Sequence, residues 1–213
     1  MRASVLAFAV VLLAPAAARA QPERYFVDEG FHPEGFTFGL MLQGGGFIST
    51  SCCNIGGRRG AGGGGIRIGT AATPDAIVML QLEAATVPIE NTAGTIKANT
   101  HSTLTVGAQY FVRGSFWVQG GLGLGTYRIT QTVERTMVED LERTGFAFST
   151  AVGFDLVRRA NAWSFGFARQ DLALSYEIRI SGALYPGGEV KVGGEQDTGA
   201  IMQFTTGLGL QWY

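Results

Sequence analysis

Through eight segments of this chain apolar and polar residues alternate with a period of two, and a charge inside one of them takes the face opposite the apolar side chains. In residues 65–72 the even positions include Ile66, Ile68 and Thr70, while the odd ones are Gly65, Arg67, Gly69 and Ala71. Successive strand side chains point to opposite faces, so a one-residue slip would drive each charge among the isoleucines. The pattern predicts strands over residues 36–47, 64–72, 76–86, 103–112, 116–128, 146–157, 163–180 and 201–212.

One face of these strands is continuously apolar, as in Phe36, Phe38, Leu40 and Leu42 or Leu104, Val106, Ala108 and Tyr110. It stays free of charge as far as Arg128, at a strand end. The other face carries Thr37, Gln43, Gln81, Gln109, Gln119 and Gln203 among small residues, together with all five interior strand charges: Arg67, Glu83, Asp155, Glu177 and Arg179. Apolar outside and ionised inside is the reverse of a soluble barrel. The expected fold class is therefore all-β, an eight-stranded antiparallel up-and-down transmembrane β-barrel.

The links alternate in length. Thr73, Pro74 and Asp75, then Arg113, Gly114 and Ser115, then residues 158–162 read as tight turns. Residues 48–63, 87–102, 129–145 and 181–200 read as longer polar loops on the opposite side, with one or two helical turns open to residues 134–143. Short turns on one side and long loops on the other are the layout of outer-membrane barrels. Residues 163–167 place Trp163, Phe165 and Phe167 on odd positions, whereas Leu172, Leu174, Tyr176, Ile178 and Ile180 fall on even ones, which predicts a bulge within residues 168–171.

The first twenty residues stand outside the fold. Arg2, an apolar run over residues 5–13 and the ending Ala18-Arg19-Ala20 read as a signal peptide cleaved before Gln21. The expected organisation is a signal over residues 1–20, a periplasmic N-terminal segment over 21–35 and the barrel over 36–213. Loss of Arg2 and Arg19 moves the formal net charge from −1 to −3. With no basic stripe, nucleic acid is not an expected partner. The 32 glycines and 14 phenylalanines suit an all-β chain rich in close contacts.

With its signal, eight alternating segments, unequal links and the ending Gly207-Leu208-Gly209-Leu210-Gln211-Trp212-Tyr213, the chain resembles the small eight-stranded outer-membrane β-barrels typified by OmpA, OmpX and OmpW. The resemblance implies a porin-like envelope protein of a Gram-negative cell, resident in the outer membrane. It also implies an assembly signal at Leu208, Leu210, Trp212 and Tyr213, read by the barrel-assembly machinery. Tyr213 is out of phase with the other three.

Eight strands enclose a space that side chains just fill. The five lumen charges then make either an internal plug or a gated conduit, and the plug is favoured because a buried charge needs a partner. In the first loop Arg58 and Arg59 are candidates for contact with lipid head groups, lipopolysaccharide included. Cys52 and Cys53 stand adjacent, with a vicinal disulfide, an intermolecular link and free thiols all open. His101-Ser102-Thr103 weakly resembles the His-x-Ser of lipid A deacylases, with Thr103 where the nucleophile would stand, and is read as a loop-end histidine in water. His32 is remote in sequence, so no metal site and no cofactor are expected. The leading functional reading is a non-enzymatic, monomeric envelope protein acting in structure or surface interaction through its loops. A narrow conduit for small or hydrophobic solutes and a lipid A-modifying enzyme are the alternatives.

Overall fold

The computed structural model describes residue 33 and residues 35–49, 60–92, 95–133, 136–165, 168–186 and 199–213. Eight strands run in chain order: β1 Phe36–Ser49, β2 Ala61–Thr73, β3 Ala76–Thr92, β4 Thr95–Arg113, β5 Phe116–Val133, β6 Thr136–Phe165, β7 Ala168–Tyr185 and β8 Gly199–Trp212. Each is antiparallel to its neighbours, and β8 pairs with β1 to close the barrel. Closure leaves no sheet edge within the barrel wall, so its backbone groups find partners in neighbouring strands.

The register fixes the barrel's geometry. Stepping between paired residues from Phe38 leads through Ile68, Leu80, Val106, Leu122, Phe148, Gly182 and Met202, and returns to β1 at Ile48. The circuit has climbed ten residues. A stagger of this size tilts strands by roughly 40° in an eight-stranded barrel. Because ten is even, the circuit returns to the same face, and the inside/outside alternation survives closure.

Every expected lumen charge is buried, while Leu42, Val106, Leu124, Ile178 and Leu208 are exposed on the outer face. The apolar belt has a sharp upper limit. On β3, β4 and β5 the outward residues change from Ala84, Leu104 and Leu124 to Thr86, Ser102 and Thr126. Thr86 and Thr100 share a hydrogen bond at 3.0 Å, and one step further Arg128 pairs with Glu142 at 3.2 Å. The belt on β5, from Phe116 to Leu124, has the 9 to 11 residues or so that a tilted strand uses to cross a membrane.

Four expectations are corrected. The second and third long links are hairpins, since β3 pairs with β4 up to Thr92↔Thr95 and β5 with β6 up to Val133↔Thr136, while β4 pairs with β5 without a break from Thr103↔Gly125 up to Thr95↔Val133. Residues 136–143, expected as a loop with helical turns, belong to β6. Thr, Val and Ile recur on both strands of this hairpin (Ile129, Thr130, Thr132, Val133, Thr136 and Val138), and such β-branched residues favour extended backbone. The third tight turn lies between Phe165 and Ala168, not at residues 158–162. The change of phase is taken up on β6, where the register shifts between Asp155 and Val157 and again between Arg159 and Trp163. Leu156 and Val157 are both exposed as a result. The other two tight turns, at Pro74-Asp75 and Gly114-Ser115, stand where the turn residues placed them, with Gly114 at φ 52°.

Candidate functional site

The lumen is filled by side chains in three tiers. At mid-height Arg179 on β7 spans the barrel to Glu83 on β3 at 2.6 Å, and its Nε donates to Glu177 at 2.9 Å. The same guanidinium donates to Ser149 at 2.7 Å and to Gln119 at 3.1 Å. Arg67 on β2 closes the set by pairing with the other oxygen of Glu177. Gln81 donates to Glu83 and accepts from Gln119. Two guanidiniums and two carboxylates are thus balanced within one hydrogen-bonded group, the arrangement that makes buried charge tolerable. Arg67 also lies over the Trp117 ring, 5.4 Å from its centroid.

Asp155 stands apart from those four, toward the short-turn end. Trp117 Nε1 donates to it at 3.1 Å and Arg158 at 2.6 Å, while the Tyr213 hydroxyl lies 3.4 Å from both carboxylate oxygens. Arg158 sits over the rings of Tyr213 and Phe111, at 5.9 and 6.0 Å. The Gln109 amide donates to the Tyr213 hydroxyl at 3.4 Å, and Tyr213 donates to Gln211. Of the four residues expected to form an assembly signal, Leu208 and Leu210 are exposed outside, whereas Tyr213 is buried in this tier. Its odd number shares the lumen parity of Gln203 and Gln211, which is the physical meaning of its being out of phase.

The third tier lies toward the loops. His101 is 1% exposed, which corrects the reading of a histidine in water. Its Nδ1 meets Gln203 Oε1 on β8 at 3.0 Å, between the rings of Phe47 and Tyr185 at 6.0 and 6.4 Å. Continuing the odd parity of Thr105 and Gln109 up β4 would have assigned Asn99 and His101 to the lumen, but the predicted strand began only at Thr103. Alternation puts His101 and Thr103 together on the lumen face and Ser102 on the opposite one, but His101 Nε2 and Thr103 Oγ1 are both without a hydrogen-bond partner, so no bond joins the suspected pair. Tyr127 and Tyr185 face the lumen here, their ring centroids 6.4 Å apart. Cys52, Cys53, Arg58, Arg59, His32 and residues 1–20, expected as a signal, lie outside the described residues.

Among the described residues no group of three His, Cys, Asp or Glu side chains is placed to hold a metal ion. No described helix is long and apolar enough to cross a membrane, which says nothing about crossing by strands.

No protein-family model and no curated protein matches the chain. Solved structures do. Ail, the attachment invasion locus protein of Yersinia pestis, aligns at TM-score 0.50 and 10% identity, over 84% of this chain and 99% of Ail. Ail in complex with the heparin analogue sucrose octasulfate aligns at TM-score 0.52 and 10% identity, over the same shares. Neisserial surface protein A aligns at TM-score 0.51 and 12% identity, over 85% of this chain and 98% of that one. At these identities the likeness is one of fold. The chain has the fold of the small eight-stranded outer-membrane barrels.

Proposed function

We propose that this chain resides in the outer membrane after removal of its signal, and that it engages partners at the cell surface through the sheet that β3, β4, β5 and β6 raise beyond the apolar belt. One observation carries the reading. The β4:β5 ladder continues to Thr95↔Val133, well past the limit set by Thr86, Ser102 and Thr126, so the strands reach out of any bilayer the belt would occupy. A rigid sheet standing in water is an expensive feature for a protein that only spans the membrane, and loops and extensions on rigid scaffolds are where barrels carry function.

The raised sheet has two edges of unequal quality. Among the described residues β2 pairs with β3 only as far as Thr86, and β7 pairs with β6 only as far as Phe146. Above those points β3 and β6 have a ladder on one side. On β3 that edge holds Pro88, which has no N–H to offer, and a register shift between Pro88 and Glu90. No proline interrupts residues 136–145 of β6. The β6 edge is the one suited to take an added strand from an extended polypeptide.

The lumen supports a non-enzymatic role. His101 has its Nδ1 engaged by Gln203, and the mid-height ion pairs act as a plug that fixes register. Leu208, Leu210, Trp212 and Tyr213 serve as the assembly signal, the belt meets membrane lipid and lipopolysaccharide, and the barrel works as a monomer.

Deletion of residues 131–139 tests the reading. The shortened barrel is expected to keep heat-modifiable gel mobility while cells expressing it lose adherence to immobilised extracellular-matrix proteins and to one another. Unchanged adherence would overturn the proposal, as would steady large single-channel conductance from the intact chain.

A further inference from the structure

The contact between His101 and Gln203 joins strands that stand opposite each other. In a closed ring of eight, β4 and β8 are separated by three strands on either side, so this hydrogen bond is a bar across the lumen. Two other bars lie below it, Arg179 to Glu83 from β7 to β3 and Gln109 to Tyr213 from β4 to the end of β8. Those two are embedded in further hydrogen bonds. The upper bar is a single bond, and His101 Nε2 and Gln203 Nε2 are both buried without a hydrogen-bond partner. A carbonyl oxygen can only accept, so Nδ1 carries the proton of a neutral ring and Nε2 is left with its lone pair.

From this geometry we infer that His101 is a proton-operated latch on the loop side of the lumen, closed while the ring is neutral and released when Nε2 takes a proton. The released bar exposes the tier beneath it, including Thr103, to small solutes from outside.

The surroundings explain why the charged ring would leave. Phe47 on β1 and Gln203 on β8 bear no charge. Tyr185 on β7 and Tyr127 on β5 offer neutral phenols. Arg143 on β6, beside Tyr185, is a like charge. Glu83 on β3 is opposite Thr103, not His101, and is held by Arg179. A protonated ring keeps its Nδ1 donor toward Gln203, but among the described residues its second N–H meets no acceptor and its charge no free anion, and a buried charge without an ionic partner is disfavoured against one that water reaches. Histidine is the side chain whose ordinary pKa, about 6.5, lets a change between pH 7.5 and 5 operate such a device. Phe47 and Tyr185 meet the ring edge-on and supply no acceptor to Nε2.

The test uses the full-length chain in detergent micelles, with C52S and C53S removing the native thiols. One cysteine is introduced as T103C, below the bar, and in a second protein as T144C, on the exposed outer face. Labelling by methyl methanethiosulfonate is followed by mass, and the T103C to T144C rate ratio cancels the pH dependence of thiol reactivity itself. The ratio is expected to rise about tenfold between pH 7.5 and 5, the response of an equilibrium tied to one titrating group. H101Q keeps a donor toward Gln203 that does not titrate, and should hold the ratio low at both pH values. Q203L removes the bar and should hold it high at both. If H101Q fails to give heat-modifiable protein, H101F replaces it as the non-titrating variant: with no donor it breaks the bar, so the ratio should be high and equal at both pH values, and a ratio that still rises at pH 5 overturns the inference. A ratio that does not change with pH when His101 is present, or that rises equally with H101Q, or a low ratio in Q203L, overturns the inference.

Discussion

Arg179 and Glu83 meet at 2.6 Å from strands on opposite sides of the barrel, although 96 positions separate them in the chain. The guanidinium stands at the centre of the middle tier, touching β3, β5 and β6 as well as Glu177 on its own strand. It ties four walls together, and its loss would leave Glu83 buried without its ionic partner.

Replacing Arg179 by Met is expected to destabilise the barrel by about 3 to 5 kcal/mol, the cost of breaking a buried pair from one side. Adding E83Q to R179M restores charge balance, because Arg67 still holds Glu177. Urea unfolding in lipid vesicles should find the double variant more stable than R179M alone. Equal or greater loss in the double variant would mean that the pairing itself is not what matters.

Trp117 covers Gly153 so closely that an added Cβ would lie 2.1 Å from ring atom Cζ2. The ring cannot move without releasing its bond to Asp155. Overpacking of this kind typically costs about 1 to 3 kcal/mol, so G153A should unfold at correspondingly lower urea. A G153A barrel as stable as the parent would show that the indole has somewhere else to go.

On the outer face, Val106 lies near the middle of the apolar belt and is exposed. V106R is expected to cost about 2 to 4 kcal/mol in a bilayer, the range for a basic residue at the midplane. T144R, above the belt, should cost almost nothing. Comparing the two by unfolding in vesicles maps the membrane boundary, and equal costs would mean that the belt does not face lipid.

Tyr213 ends the chain inside the lumen, where its hydroxyl meets Asp155, Gln109 and Gln211. Y213F deletes those contacts and keeps the ring against Phe111. A loss of about 1 to 3 kcal/mol is expected, that of leaving buried polar groups unsatisfied, with the fraction of heat-modifiable protein unchanged. W212A, on the opposite parity, should lower that fraction. The reverse outcome would make Tyr213 the residue that assembly reads.

The strands and their faces were legible residue by residue. Ile66, Arg67 and Ile68 alternate whatever surrounds them, since a strand's two-residue period is a local property of the backbone. The ends of the strands were less legible. Polar residues on both faces of the β3–β4 and β5–β6 extensions erase the alternation once the outer face meets water, so Thr95 and Val133 carry no sign that they pair. The bulge at Leu156 and Val157 was displaced for a similar reason, because a phase change in sequence marks that a residue has been gained but not on which strand.

By itself the sequence determined the period of each strand, its apolar face, the two tight turns at Pro74-Asp75 and Gly114-Ser115, and the burial of the five lumen charges. Only the tertiary structure decided that Arg67, Glu83, Glu177 and Arg179 form one group while Asp155 joins Trp117, Arg158 and Tyr213, and that His101 reaches Gln203. Facing is set within a few residues by backbone geometry. Partnership across a lumen depends on the stagger summed over all eight strands, a quantity that exists only once the ring has closed.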